Sequence, residues 1–450
     1  MKTTLTAQSL SDTRTALQAA NKAFNHRYPG ESARRQPVHS VYGGAHLFKA
    51  ETASKLAEVA LRSWEEHAPD ARTLARVLGL TEEGELAEKV HARVVSKLRR
   101  EAVEDYRIDF EDGYGHRPDA EEDGHAVAAA AEMARGLEQG SLPPFIGIRM
   151  KSFSDELFGR SVRTLDLFLS ALVEKTGGRL PPGFVVTLPK VSIREQVAAL
   201  DSVLINLEEG LGLPRGVVKV ELMVETPQAL FDREGRVELP LLVGAARGRC
   251  TGVHFGAYDY TAACGITAAY QHLFHPSCDF ARHVMQVSLA GTGIHLSDGA
   301  TTTMPVGPHK APKGGSLTAQ QQEENRVAVH RAWRLHADNV RRSLTDGFYQ
   351  GWDLHPAQVP VRYAAVYAFF LEGLDEASRR LKAFMDKAAQ ATRLGDVFDD
   401  AATGQGLINF FLRGIACGAL TEDEARAAGL TLDELRTRSF LEILQGRRKG

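Results

Sequence analysis

Glu225 and Asp259 each close a short, strand-like run, Val218–Val224 and Gly252–Tyr258. A run of about four to eight largely apolar residues bounded by turn signals reads as a buried strand. Both acids are therefore expected at one rim of a sheet. Two carboxylates held that way suit Mg²⁺, which takes one or two carboxylates and leaves its other positions to water and substrate. A single acid at a strand end is ordinary, since charged side chains seek water there. Here the pattern repeats: Asp109, Arg149, Lys190, Glu225 and Asp259 end successive runs, 40, 41, 35 and 34 residues apart.

A strand, a crossover helix and the return need about 30 residues or more. The spacing thus predicts five consecutive β/α units, each delivering a polar residue at the carboxyl end of its strand. In a (β/α)8 barrel that is the face where active sites lie. An open doubly wound sheet also binds ligands at strand ends, but it gives no reason to charge every strand end in turn.

The chain of 450 residues is long enough for a barrel of about 250 residues with additions. It is 43% hydrophobic and 25% charged, as in ordinary soluble proteins. A net charge of −3 and the lack of a long Lys/Arg block argue against nucleic acid as a partner. No apolar run approaches the ~18 residues of a membrane span, and the first residues lack a signal peptide's apolar core. Cys250, Cys264, Cys278 and Cys417 have no metal-ligand or redox spacing, so a reducing, cytoplasmic setting is expected.

Residues 1–36 read as a helical extension, 37–375 as a TIM barrel, and 376–450 as a C-terminal helical domain covering the active face. Strands are expected at VHSVYGGAHLF, Tyr106–Phe110, Phe145–Arg149, GFVVTLPK and the two runs above. The last two fall at GTGIHLSDGATTTMPVG and GFYQGWDLHP, the latter ending on His355-Pro356. Thr318–Leu344 is a helix with an apparent cap. The tail reads as helical throughout, in the segments Ala364–Glu372, Ala377–Arg393, Gly406–Arg413, Glu422–Ala428 and Leu432–Leu444.

Taken in order, DFEDG, IR, LPK, ETP, GAYDY and GFYQGWDLHPAQ resemble the citrate lyase β-subunit, malyl-CoA lyase and malate synthase superfamily over residues 37–415. GIHLSDGATTTMP and FDDAATGQGLINFFLRG are similar to segments of the malate synthase branch. The chain departs from that branch in lacking its large extra domains. GAYDY also stands where the branch has an arginine-bearing segment.

The resemblance implies carbon–carbon bond making or breaking through an enolate on a 2-oxo acid such as glyoxylate, pyruvate or oxaloacetate, with an acyl-CoA partner. Glu225 and Asp259 would hold Mg²⁺, or Mn²⁺ in its place. Asp109 and Glu111 would accept hydrogen bonds from metal-bound water, while Asp112 would point the other way along the strand. Arg149 is the expected electrophile, a fixed fork beside the developing oxyanion. Gly256 and Ala257 would line the substrate site. Lys190 reads either as an imine-forming amine or as a structural cation kept protonated by carboxylates on both sides.

Asp400 is the expected general base, with Asp399 as its competitor; an N-cap role for Asp400 is the bland alternative. Whether it acts within one chain or between copies of a homo-oligomer stays open. His295 and His355 are assigned to packing at the barrel rim. There is no diagnostic CoA motif; the basic loop Lys310–Lys313 could meet CoA phosphates or could merely be solvated. The alternatives are a CoA-independent, metal-dependent aldolase releasing pyruvate, and a non-catalytic metabolite-binding relative.

Overall fold

The computed structural model describes residues 4–6, 8–30, 34–81, 85–386, 392–394, 397–399, 401–437, 443 and 446. Eight parallel strands close on themselves in chain order, forming the (β/α)8 barrel expected from the spacing. They are β1 (His39–Gly44), β2 (Asp105–Asp109), β3 (Phe145–Arg149), β4 (Phe184–Leu188), β5 (Lys219–Val224), β6 (Cys250–Phe255), β7 (His295–Ala300) and β8 (Gln350–Asp353). Closure is made by β1 on β8, with Val41 opposite Asp353.

Helix α1 (Ser11–Arg27) precedes the barrel and has no buried residue. The long crossover from β1 to β2 divides into α2 (Thr52–His67), α3 (Ala71–Leu78) and α4 (Leu86–Glu101). Local chemistry sets that division. Asp70 caps α3 by accepting from the Thr73 N–H at 2.7 Å, and Gly79 ends it in the left-handed conformation, φ 64°. The remaining crossovers carry α5 (Asp119–Gln139), α6 (Phe158–Thr176), α7 (Arg194–Gly210), α8 (Leu239–Ala245), α9 (Ala257–Ala263), α10 (Pro276–Leu289) and α11 (Ala319–Thr345). Thr318 and Gln321 form a capping box at the start of α11.

Alternation along the strands separates two environments. Ile108, Ile146, Ile148, Val186, Leu222 and Val253 are at most 1% exposed and face the helices. Each such side chain stabilises the fold by about 1.5–3 kcal/mol. The interior is polar instead. Arg107 on β2 reaches Thr187 on β4 (3.3 Å) and Glu221 on β5 (2.7 Å), contacts that cross the barrel because neither strand neighbours β2.

Several expectations are corrected. β6 stops at Phe255, so Asp259 lies in the first turn of α9 rather than at a strand end. β8 stops at Asp353, and His355 instead caps a short helical turn by accepting from the Ala357 N–H at 3.1 Å. The two helices expected at 364–372 and 377–393 form one, α12 (Val359–Asp386). Gly373, between the two expected helices, sits mid-helix with the Phe410 ring 3.2 Å from where its Cβ would be. Nor is the tail helical throughout. The antiparallel pair β9 (Thr392–Leu394) and β10 (Val397–Asp399) comes before α13 (Ala401–Ala416), α14 (Glu422–Ala427) and α15 (Leu432–Thr437).

The described tail does not cover the carboxyl-end face of its own barrel. Arg413 on α13 donates to Gln36 (2.7 Å), which in turn binds the start of β7 at Leu296 and of β8 at Gln350. Glu424 on α14 pairs with Arg93 on α4 (2.6 Å). Phe410 packs at a tilt against Phe370, Gly414 meets Phe370, and Gly418 meets Tyr367. α13 therefore runs antiparallel to α12, and its start lies toward the far end of α12, away from that face. Apolar burial drives this placement, since Ile408 and Phe411 are fully buried.

Candidate active site

Arg149 ends β3 at 1% exposure. Asp109, its neighbour across β2, grips it with two parallel bonds, Nε to Oδ1 at 2.7 Å and Nη2 to Oδ2 at 2.5 Å. Asp109 also accepts from the backbone N–H groups of Glu111 (3.0 Å) and Gly113 (2.7 Å). Four donors occupy it, so it orients Arg149 and has no ready lone pair for metal-bound water. A Cβ on Gly113 would lie 2.6 Å from Asp109 Oδ2, so the turn can close on Asp109 only without a side chain there.

The guanidinium lies against two rings that are 4.4 Å apart, Tyr42 at 4.9 Å and Trp352 at 5.4 Å. Tyr42 Oη and Trp352 Nε1 are buried and have no hydrogen-bond partner among the described residues. The remaining arginine nitrogen, Nη1, is 3.2 Å from Glu111 Oε2. Burial works against the charge of Arg149, but Asp109 and Glu111 outweigh it and hold the group fully protonated.

Lys190 stands two residues beyond β4 with φ 51°, a left-handed conformation that residues with a side chain rarely adopt. Its N–H donates to Glu225 Oε2 at 2.8 Å. Its ammonium pairs with Glu111 and with both oxygens of Asp112 at 3.1 Å, and lies 4.0 Å from Asp259 Oδ1. Glu111 and Asp112 sit in a turn past the end of β2 and converge on this one ammonium, so strand alternation does not separate them. Burial disfavours the Lys190 charge, yet Glu111, Asp112 and Asp259 raise its pKa well above the usual value. The same carboxylates favour the ammonium over the neutral amine that imine formation needs. Burial alone would raise Asp112, but Lys190 and Arg149 hold it below the usual range. Glu111 is raised, because burial outweighs the same two cations.

Glu225 is 1% exposed, and burial, with Asp259 and Glu111 nearby, pushes it from 4.5 up to about 7 against the pull of Arg149. Only Oε2 has a donor; Oε1 receives no hydrogen bond among the described residues. The Gly256 N–H continues the ladder to Val224 (2.9 Å), and a Cβ there would lie 2.7 Å from Glu225 Oε1. Ala257 is buried at the start of α9, and the Asp259 side chain, 44% exposed, looks out at the face.

Once Asp109 and Arg149 cancel, Glu111, Asp112, Glu225 and Asp259 share the single charge of Lys190. The donor set therefore suits a divalent cation. Among the described residues no three His, Cys, Asp or Glu side chains converge as a metal cage. A cation here would use the two carboxylates and complete its shell with water and substrate, the habit of Mg²⁺.

Of the remaining candidates, His295 starts β7 and so lies at the opposite end of the barrel, where burial and the charges of Arg413 and Arg34 push it down to about 4. Lys310 and Lys313 are exposed in the loop after β7. Asp400 lies outside the described residues, as does the Asp399 side chain. The sequence reading missed Tyr42 and Trp352. Both sit at inward positions of their strands, and period two in HSVYGG and QGWD was the available signal.

The chain matches the family described as "Domain of unknown function (DUF6986)" over residues 17–443. It is 24% identical over 357 residues to a malate synthase of Streptomyces clavuligerus, covering 71% of this chain and 58% of that protein. The match therefore spans less than two thirds of that relative. Among solved structures, a citrate lyase of Burkholderia xenovorans LB400 has a TM-score of 0.56 at 19% identity, covering 88% of this chain and 97% of the other. This is a likeness of fold. The protein CitE from Mycobacterium tuberculosis, solved with magnesium, acetoacetate and coenzyme A, has a TM-score of 0.46 at 15% identity, covering 84% and 97%.

Proposed function

The chain belongs to the DUF6986 family, and on that premise we propose that it is a Mg²⁺-dependent carbon–carbon lyase or synthase acting through an enolate on a 2-oxo acid, with an acyl-CoA partner. The observation that carries this reading is a pairing. Arg149, held rigid by Asp109, stands beside Glu225, a buried carboxylate with an oxygen to spare. Glu225 and Asp259 would hold the cation, Mg²⁺ or Mn²⁺. When bound, it supplies Lewis-acid polarisation of the oxo carbonyl.

Arg149 offers the developing oxyanion a fixed cation, and pre-orientation by Asp109 removes the reorganisation cost. The Tyr42 and Trp352 rings shield the guanidinium from water, and their Oη and Nε1 groups, without a partner among the described residues, would donate to the substrate carboxylate. Lys310 and Lys313, exposed in the loop after β7, would meet the phosphates of CoA. The four cysteines are unpaired, which suits a cytoplasmic setting.

Asp400 remains the proposed proton acceptor. It would act either within one chain or between copies of a homo-oligomer.

The test is to supply Mg²⁺, glyoxylate and acetyl-CoA, following thioester loss and solvent-deuterium entry into the acetyl methyl group, with malyl-CoA for the reverse direction. Metal-dependent turnover that falls in Arg149→Lys supports the reading. Release of pyruvate from a hydroxy-oxo acid without CoA would identify the CoA-independent aldolase instead, and inertness to every substrate a binding relative. Mixing inactive Arg149→Lys with inactive Asp400→Asn should restore activity if Asp400 acts between copies. No recovery would confine each site to one chain.

A further inference from the structure

We infer that the Lys190 ammonium is a placeholder cation, which neutralises the rim carboxylates in the metal-free protein and is displaced when a divalent cation enters. This rests on the cation site proposed above and adds how that site is kept in shape without its ion.

The first observation is the backbone. Lys190 has φ 51°, and the turn this creates aims its N–H at Glu225 Oε2 (2.8 Å) while sending its side chain to Glu111 and Asp112. One residue thus touches one proposed cation ligand through its main chain. Through its ammonium it approaches the other, Asp259, at 4.0 Å.

The second observation is charge. Three carboxylates, Glu111, Asp112 and Asp259, face one ammonium, with Glu225 held beside them by the Lys190 backbone N–H, while Asp109 is gripped by Arg149. Glu225 is 1% exposed and Oε1 has no donor among the described residues. Like charges a few ångströms apart repel even when screened, so a dication and this ammonium cannot share the cluster comfortably. The Lys190 side chain is 31% exposed, which gives it a way out to solvent while its backbone N–H stays on Glu225. Lys190 is therefore a positioning residue, and its departure lowers the net affinity for the ion.

Calorimetric titration of the full chain with MgCl₂, together with thermal unfolding with and without Mg²⁺, tests this. Lys190→Met should bind Mg²⁺ on the order of fivefold more tightly, the effect of removing one partly screened like charge. It should also melt lower than wild type when metal is absent and close to wild type when metal is present. Lys190→Arg keeps the charge and should stay near wild type in affinity. Lys190→Gly relaxes the backbone but lacks the ammonium, so it should share the tighter binding of the Met variant.

In wild type, acylation of Lys190 followed by peptide mass spectrometry should speed up with Mg²⁺, while Lys219, at the other end of β5, keeps its rate. This second measurement needs no variant to fold. Mg²⁺ binding to wild type with no tightening in the Met and Gly variants, or with Lys190 labelling unchanged, overturns the placeholder and leaves the cation site standing. Absence of Mg²⁺ binding in wild type and in every variant overturns the site itself, and the placeholder with it.

Discussion

Glu221 and Glu225 lie four residues apart, both inward-facing, one within β5 and the other just past its end, yet their surroundings drive them in opposite directions. Glu221 accepts from Arg107 (2.7 Å) and Thr187 (3.2 Å), with His254 Nε2 at 3.1 Å. Burial alone would raise it, but Arg107 and His254 hold it well below the usual carboxylate range. Glu225 receives one backbone N–H and faces other acids, and rises to about 7. Two levels of the barrel interior carry a buried arginine, the middle one at Arg107 and the rim at Arg149. The middle one, Arg107, is closed by Asp105 and Glu221, whereas the rim around Arg149 has acids in excess. A buried acid matched by cations holds the barrel together. A buried acid left over is available to a ligand.

The contrast can be broken at several points. The largest effect should come from Arg149→Lys, which keeps the charge but loses the fork. Turnover should fall on the order of 10²–10³-fold in steady-state kinetics, while Mg²⁺ affinity measured by calorimetry barely changes. Arg107→Met should do the reverse. It leaves Asp105 and Glu221 buried without their cation and should cost about 3–5 kcal/mol in urea unfolding, without altering the metal site directly.

Smaller again is Glu225→Gln. Replacing an acid that is costly to ionise should raise metal-free stability at pH 8 by about 2 kcal/mol and abolish stabilisation by Mg²⁺. A loss of metal-free stability would mean that Glu225 is structural after all. The smallest effect is the pH dependence. The folded state holds the Glu225 proton more tightly than the unfolded chain, whose value is the ordinary 4.5. Its contribution to stability is thus complete below pH 4.5 and is lost as pH rises through about 7. Metal must displace that proton. The Mg²⁺-induced rise in Tm should therefore be larger at pH 8 than at pH 5.5, with apparent affinity weakening toward tenfold per pH unit below about 7.

The barrel was legible because its signal repeats. Asp109 and Arg149 end their strands as the spacing predicted, and Lys190 and Glu225 follow theirs within two residues. Asp259 was harder to place, since GAYDY continues the apolar character of β6 into a helix and hydropathy alone does not mark the change. The bonding of the rim was not legible at all. Asp109 and Glu111 look alike in sequence, yet one is saturated by Arg149 and two N–H groups and the other is drawn to Lys190. Only the turn after β2 decides that. The tail failed for a further reason. α13 is amphipathic over any surface that accepts Ile408 and Phe411, so its pattern gives a helix but not which side of the barrel receives it.

Gly113 and Gly256 bear on how distant relatives are sorted. A methyl group at the first would overlap Asp109 Oδ2, and one at the second would overlap Glu225. Any barrel of this kind with a side chain at either position has to move the carboxylate that steadies the arginine, or the one with the spare oxygen. Those two positions, read from an alignment alone, would therefore separate chains that kept the rim from chains that kept only the scaffold. The sorting uses residues with no side chain and no chemistry of their own.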